Sequence, residues 1–308
     1  MDVKSFWRRA FLEERPSVGL CLFRPFVAFT VGAHIIPTLL HLKDNYFQTA
    51  FREKNPSFFT IPVLELVDKS PDWLVAALTA AFYVFLSFFA LGLFSQISCI
   101  LMVLCCYYFY ALNSMHIGTL SYDILLVTLF LMCVTGYHGD SFSLDALLRK
   151  RGKGPAPRPF FIQRLLQLQI ASTYFYTALC KFTASGNWLT GNPIYNLLNS
   201  APGSVVKEFP LRAFFAQHPA LCYFTGIAII CSEISLPFLL FIRRTRAVGI
   251  AFGFVFHIML VVTLHVPTIF FFLFPPQLLL FLDPERWVGW IKKVRRLTFG
   301  QDMVQSPP

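Results

Sequence analysis

Eight stretches of this chain are long, apolar and nearly free of charge. They fall at residues 18–42, 73–93, 95–112, 120–137, 161–183, 217–242, 247–265 and 268–284. A helix needs about 20 predominantly apolar residues to cross the hydrocarbon of a bilayer, because it rises only about 1.5 Å per residue. The pattern therefore predicts an all-α integral membrane protein with about eight transmembrane helices in one bundle. "HVP" and "FPPQ" interrupt the last two stretches, so a broken or re-entrant helix is expected there. Such backbone is tolerated at membrane depth only where protein covers the freed polar groups. Composition agrees: 14% of residues are charged and 56% hydrophobic, against about 25% charged in a soluble domain.

The positive charges orient the helices. With the N-terminus inside, eighteen of the 26 Lys and Arg fall on the inner side, and six fall in the two long outer loops. That asymmetry predicts N-in and C-in. It also removes nucleic acid as a reason for the net charge of +10; membrane lipids are the expected surroundings. Residues 1–17 read as a cytoplasmic N-terminal segment, 18–285 as the membrane domain and 286–308 as a basic cytoplasmic tail. No cleavage site follows the first apolar run, so it is expected to stay as a span. Asn55 precedes Pro56 and no usable glycosylation sequon occurs, which leans towards a multi-pass protein of a bacterial plasma membrane. The eight cysteines lie mostly in apolar stretches, as packing groups. No phosphate-binding loop, HExxH or spaced CxxC pair occurs, and no metal site is expected.

Ionisable residues inside spans are costly and mark function. Arg24 in "LCLFRPFVAF" either snorkels to the inner interface or pairs inside. Asp123 in "LSYDILL" either marks a span end or lies within the bundle. Glu233 in "GIAIICSEISLPFLLF" is too deep to snorkel, so it is protonated or paired with a cation such as Lys181 or Arg24. In the fifth stretch Gln163, Gln167, Tyr174, Thr177 and Lys181 recur at spacings of three, four and seven, which makes one polar stripe on a helix. Such a stripe faces other helices or a cavity. Lys181 is then either a group held for chemistry or an interfacial anchor, with Trp188 as a belt aromatic.

"LQLQIASTYFYTALCKFTASGNWLTGNPIYNLL" resembles the central motif of the membrane domain of vitamin K-dependent gamma-carboxylases, which also occurs alone in bacteria as the horizontally transferred transmembrane (HTTM) family. The pattern is a Gln-rich helix, a Tyr-Phe/Tyr pair, a Lys, then Trp-x-x-Gly, here ending at Trp188 and Gly191. "LCLFRPFVAFTVG", "GYHGDSFSLDALL" and "CSEISLPFLLFIRRTRAVGIAFGFVFHIML" resemble three further family segments.

The resemblance implies a lysine base, Lys181, that deprotonates reduced vitamin K or another quinol, with oxygen and carbon dioxide as co-substrates. It implies His138 as helper, His257 in the Phe-His pair and Glu233 as the acidic residue, with Gln167, Tyr174, Thr177, Trp188 and Arg24 about the site. His116 in "NSMHIG" is the alternative partner, because the expected topology sets His138 near the inner face and Lys181 near the outer one. The carboxylases differ in carrying two adjacent lysines where this chain has Cys180-Lys181, an Asn where it has Leu260, and a large lumenal domain. The implied function is quinone-dependent carboxylation of a secreted peptide or protein, with a soluble accessory subunit. The alternatives are a membrane component for maturation of a secreted antimicrobial or toxin peptide, as in a family member of bacilli, or a non-catalytic lipid- or quinone-binding scaffold.

Overall fold

Each apolar stretch is helical over most of the length that the computed structural model describes, namely residues 2–41, 69–112, 119–149, 157–183, 188–200, 206–265 and 269–299. Contacts divide the chain into two units, Met1–Leu166 with Leu282–Pro308, and Gln167–Phe281.

The first unit begins with α1 (Val3–Trp7), which runs into one π turn, and β1 (Glu14–Pro16). It continues with α2 (Val18–Leu39), α3 (Asp72–Leu91), α4 (Ser95–Leu112), α5 (Thr119–Cys133) and the short α6 (Leu144–Leu148). β2 (Pro157–Pro159) pairs antiparallel with β1, setting Arg15 opposite Arg158. α2 packs on α3, α3 on α4 and α4 on α5, around fully buried Phe82, Phe89, Met102, Phe109 and Leu129. The fourth apolar stretch stops at Cys133, four residues short of expectation, and the chain enters a 3-10 turn at Tyr137–Gly139.

The second unit takes α7 (Phe161–Thr183) from Gln167 onward, then a 3-10 turn at Trp188–Thr190 and α8 (Asn192–Leu198). α9 (Arg212–Ala216), α10 (Pro219–Phe241) and α11 (Arg246–Thr263) follow. The last apolar stretch is broken into α12 (Ile269–Phe272), α13 (Phe274–Leu278) and a 3-10 turn. Pro275 and Pro276 have no N–H to donate, so "FPPQ" cannot continue a regular helix. The break is covered by protein: Pro275, Pro276 and Gln277 are buried, and the Gln277 amide donates to Oε1 of Gln169 at 3.1 Å. The chain then returns to the first unit as α14 (Pro284–Phe299), which packs on α2 and β1.

Among the described residues four helices are long and apolar enough to cross a bilayer: Val18–Pro37 of α2, α3, α10 and α11. Ser95–Ala111, Asp123–Cys133 and Ile269–Phe281 are apolar but shorter. The outward faces are those of groups that seek hydrocarbon. α11 exposes Val248, Val255, Ile258, Met259 and Val262, and buries Gly249, Gly253 and His257. α10 exposes Tyr223, Phe224, Ile234 and Phe238, and buries Gly226, Ile230 and Glu233. In both, apolar side chains line the outside and the ionisable group faces in, the reverse of a helix on a water-soluble core.

Candidate functional site

α7 positions the centre of the second unit. It is 23 residues long, about 35 Å at helical rise, and its hydroxyls are satisfied locally. Thr173 donates to the Gln169 carbonyl at 2.9 Å, and Ser172 donates to that of Leu168. The polar stripe faces protein: Gln163, Gln167 and Tyr174 are buried, while Phe175, Tyr176, Leu179 and Phe182 point outward.

At the end of the stripe, Nζ of Lys181 donates to both carboxylate oxygens of Glu233, at 2.7 and 2.8 Å. The two side chains are 19% and 8% exposed, so the pair is sheltered but the amine is reachable. Nζ also lies 5.4 Å from the centre of the Trp188 ring, a cation on an aromatic face. The Thr177 hydroxyl sits between the Tyr174 carbonyl, 2.9 Å away, and the Glu233 carboxylate, with one proton for the two. One turn further in, the Tyr174 hydroxyl meets Nε2 of His257 at 2.5 Å. Phe256, Phe270 and Phe274 surround that ring pair. Gln167 donates to the Leu280 carbonyl at 2.7 Å, tying α7 to the end of the broken helix.

The Trp-x-x-Gly motif has a direct physical reason. Gly191 is left-handed (φ 77°), and a Cβ there would lie 2.4 Å from the backbone nitrogen of Tyr223. Gly226, two turns before Glu233 on the same buried face of α10, is covered by the Trp188 carbonyl, which a Cβ would meet at 2.6 Å. The turn carrying Trp188 therefore lies backbone to backbone on α10, and its indole packs against a core of Ile194, Leu198, Val206 and Cys222. Two small residues set the register of Trp188 against the helix that supplies Glu233. Pro237 on that helix lacks the N–H that would bond the Glu233 carbonyl, so the backbone is loosened one turn beyond the carboxylate.

The other expected site residues gather elsewhere. Arg24 neither snorkels nor pairs with Glu233. It is buried in the first unit and donates to the carbonyls of His138, at 2.6 Å, and Phe142, at 2.5 Å. Its reason is structural: the turn after α5 leaves carbonyls without helical partners, and the guanidinium supplies donors. His138 is buried beneath Phe89, and its Nε2 lies 3.1 Å from the Ser95 carbonyl, so that nitrogen carries the proton. Burial pushes its imidazole down to about 4, against the opposing pull of the Ser95 carbonyl. His138 and Arg24 thus form one polar knot in the first unit, and Lys181, Glu233, Tyr174 and His257 form another in the second. Asp123 accepts from the Tyr110 hydroxyl at 2.6 Å. His116 lies outside the described residues. All eight cysteines are free.

Two carboxylates that the sequence reading passed over hold the first knot. Asp145 accepts from the backbone nitrogens of Phe94 and Ser95 and the Ser95 hydroxyl, each at 2.8 Å, capping α4 from another segment. Burial pushes its carboxyl up, but these bonds and Arg149 outweigh it and hold it below the usual range. Asp140 accepts two bonds from Arg158, at 2.8 and 2.9 Å. Both carboxylates line a cavity of about 330 Å³ with Gln96, Tyr137 and Arg149.

Apolar outer faces around buried polar groups define an integral membrane protein. Its kind follows from the chain as a whole: the HTTM domain matches residues 15–287, and the chain belongs to that family. The membership fits a membrane domain related to that of the vitamin K-dependent carboxylases. No solved structure matches the chain.

Proposed function

We propose that the second unit is a membrane-embedded acid–base site of the carboxylase type, with Lys181 as the base and a quinol as the molecule it acts on. The observation that supports this most is the two-point pair of Lys181 with Glu233 under Trp188. An anchoring lysine extends its ammonium into headgroups and water; this one is folded back onto a carboxylate on a neighbouring helix. The pair is neutral as a unit, so it can sit at low dielectric where a lone cation cannot. Passing a proton from Nζ to Glu233 leaves an uncharged amine, the form able to accept a proton from a weak acid. Glu233 is thus the first recipient.

The donor set fits a quinol. Lys181 is partly accessible, and the flat indole of Trp188 offers an apolar face beside the amine. Lys181 would receive a phenolic proton, with Trp188 against the ring and Tyr174–His257 as the next polar pair inward. A bound quinol would supply, with oxygen, the strong base that carboxylation of a glutamate side chain needs. The residues seen here bind, orient and take up the first proton. Carbon dioxide and a secreted peptide or protein, with a soluble accessory subunit, complete the reading. Eight spans, N-in and C-in, in a bacterial plasma membrane are the topology that goes with it.

The test is quinol consumption by the reconstituted protein with oxygen, carbon dioxide and a Glu-containing peptide. Wild type is expected to consume quinol, and Lys181→Ala is expected not to. Equal rates from both proteins would remove Lys181 from the chemistry.

A further inference from the structure

The first unit carries a second surface with a different logic. Where α2 begins, four segments meet: β1 and β2 pair, α14 packs on β1 and α2, and the Phe160 nitrogen donates to the Glu13 carbonyl at 3.1 Å. The Arg164 guanidinium donates to the Ala10 carbonyl at 3.2 Å and, like that of Arg15, lies over the Phe160 ring. This end of the unit is therefore built rather than frayed.

Its outside alternates large apolar groups with cations. Trp7 and Trp290 are 55% and 52% exposed, and Leu147 and Leu148 on α6 are more so. Beside them Lys4, Arg8, Arg9, Arg149, Arg286 and Lys293 are exposed. Trp7 stacks on Phe11 at 5.2 Å, and Trp290 meets Trp287 edge-on at 5.4 Å, so the indoles are braced where they stand. The described residues of these segments, 2–17, 138–149, 157–160 and 282–299, contain eleven Lys and Arg against seven Asp and Glu. One of the acids, Glu13, is taken by Arg15 at 2.6 Å, and another, Asp140, by Arg158. The surplus is positive, and the apolar groups among the cations exclude a surface made for water alone.

We propose that this end of the first unit is a docking surface for the anionic headgroups of one membrane leaflet, with α14 lying in the plane of the interface. An indole belongs at the headgroup level, where one edge is apolar and the other wet. A helix with an apolar face and a cationic remainder rests in that layer. Cations near an anionic leaflet are drawn to it within about a Debye length. The occupant is the lipid surface itself, which accounts for both halves of the pattern; an acidic protein would account only for the cations.

The full-length protein, reconstituted in vesicles of phosphatidylcholine with about 30 mol% phosphatidylglycerol, tests this. Tryptophan quenching by brominated phosphatidylglycerol is compared with quenching by brominated phosphatidylcholine at equal bulk fraction. The expected preference for the anionic lipid is about threefold or more at low salt, and it disappears in about 1 M salt. It should also be lost in the variant R8Q/R9Q/R286Q/K293Q. Should that variant fail to fold, the salt titration of wild type decides. Equal quenching by the two lipids, a preference indifferent to salt, or one retained in the folded variant overturns the proposal.

Discussion

Replacing Glu233 by Gln removes one charge of the Lys181–Glu233 pair while keeping nearly the same volume. At an effective dielectric of about 20, charges as close as these attract by about 6 kcal/mol. Desolvation cancels part of that, so the loss on breaking a buried pair is about 3–5 kcal/mol. The 19% exposure of Lys181 lets a stranded ammonium recover some water, which favours the lower end, about 3 kcal/mol. Lys181→Met should cost a similar amount, because it strands the carboxylate. The double variant Lys181→Met/Glu233→Gln strands neither charge, and should recover at least about 2 kcal/mol of the summed losses. Unfolding of all four proteins in bilayer-mimetic detergent, followed by tryptophan fluorescence, gives the cycle. A coupling under about 0.5 kcal/mol would mean a solvated surface bridge and would refute the picture of a sheltered pair.

Gly191→Ala should destabilise the protein by about 3 kcal/mol or more, because the left-handed backbone and the Tyr223 nitrogen both oppose a Cβ; Gly289→Ala, inside α14 with nothing within 4 Å, is the control in the same thermal melts and should stabilise by up to about 1 kcal/mol. His138 titrates near 6.5 when exposed and near 4 when folded. Between those values the unfolded chain binds a proton that the native one does not, so stability falls as pH drops through the window, by about 2 kcal/mol from pH about 7.5 to about 5. His138→Gln, which keeps a donor for the Ser95 carbonyl, should flatten that slope in denaturant titrations; a flat wild-type profile would show that the imidazole is not buried neutral.

Helix placement was legible because apolar length and periodicity act locally. α3, α10 and α11 lie within one or two residues of the expected stretches, and "FPPQ" announced its break through proline chemistry. The stripe on α7 was legible for the same reason. Glu233 had only two answers once it was seen to lie too deep to snorkel, and which cation it met needed the fold. Arg24 misled because a buried guanidinium can be satisfied by carbonyls, and no pattern along the chain says which carbonyls a turn will leave free. Asp145 sits in "SLDALL" and looks like a residue of its own short helix, yet it caps a helix fifty residues earlier. The seat of Trp188 depends on Gly226, which reads as an ordinary small residue in an apolar span. The helix within the basic C-terminal segment had its signal in Trp287, Trp290 and Ile291 at helical spacing.

The central claim is that Lys181 acts by losing and regaining a proton, and the most direct measurement is quinol consumption by Lys181 variants in lipid. Lys181→Arg keeps the charge and can still pair with Glu233, but a guanidinium does not give up its proton. It should be inactive with the fold intact, while Lys181→Ala should regain part of the wild-type rate when a small primary amine is added. Wild-type consumption by the Arg variant would contradict the account and leave Lys181 as a structural partner of Glu233.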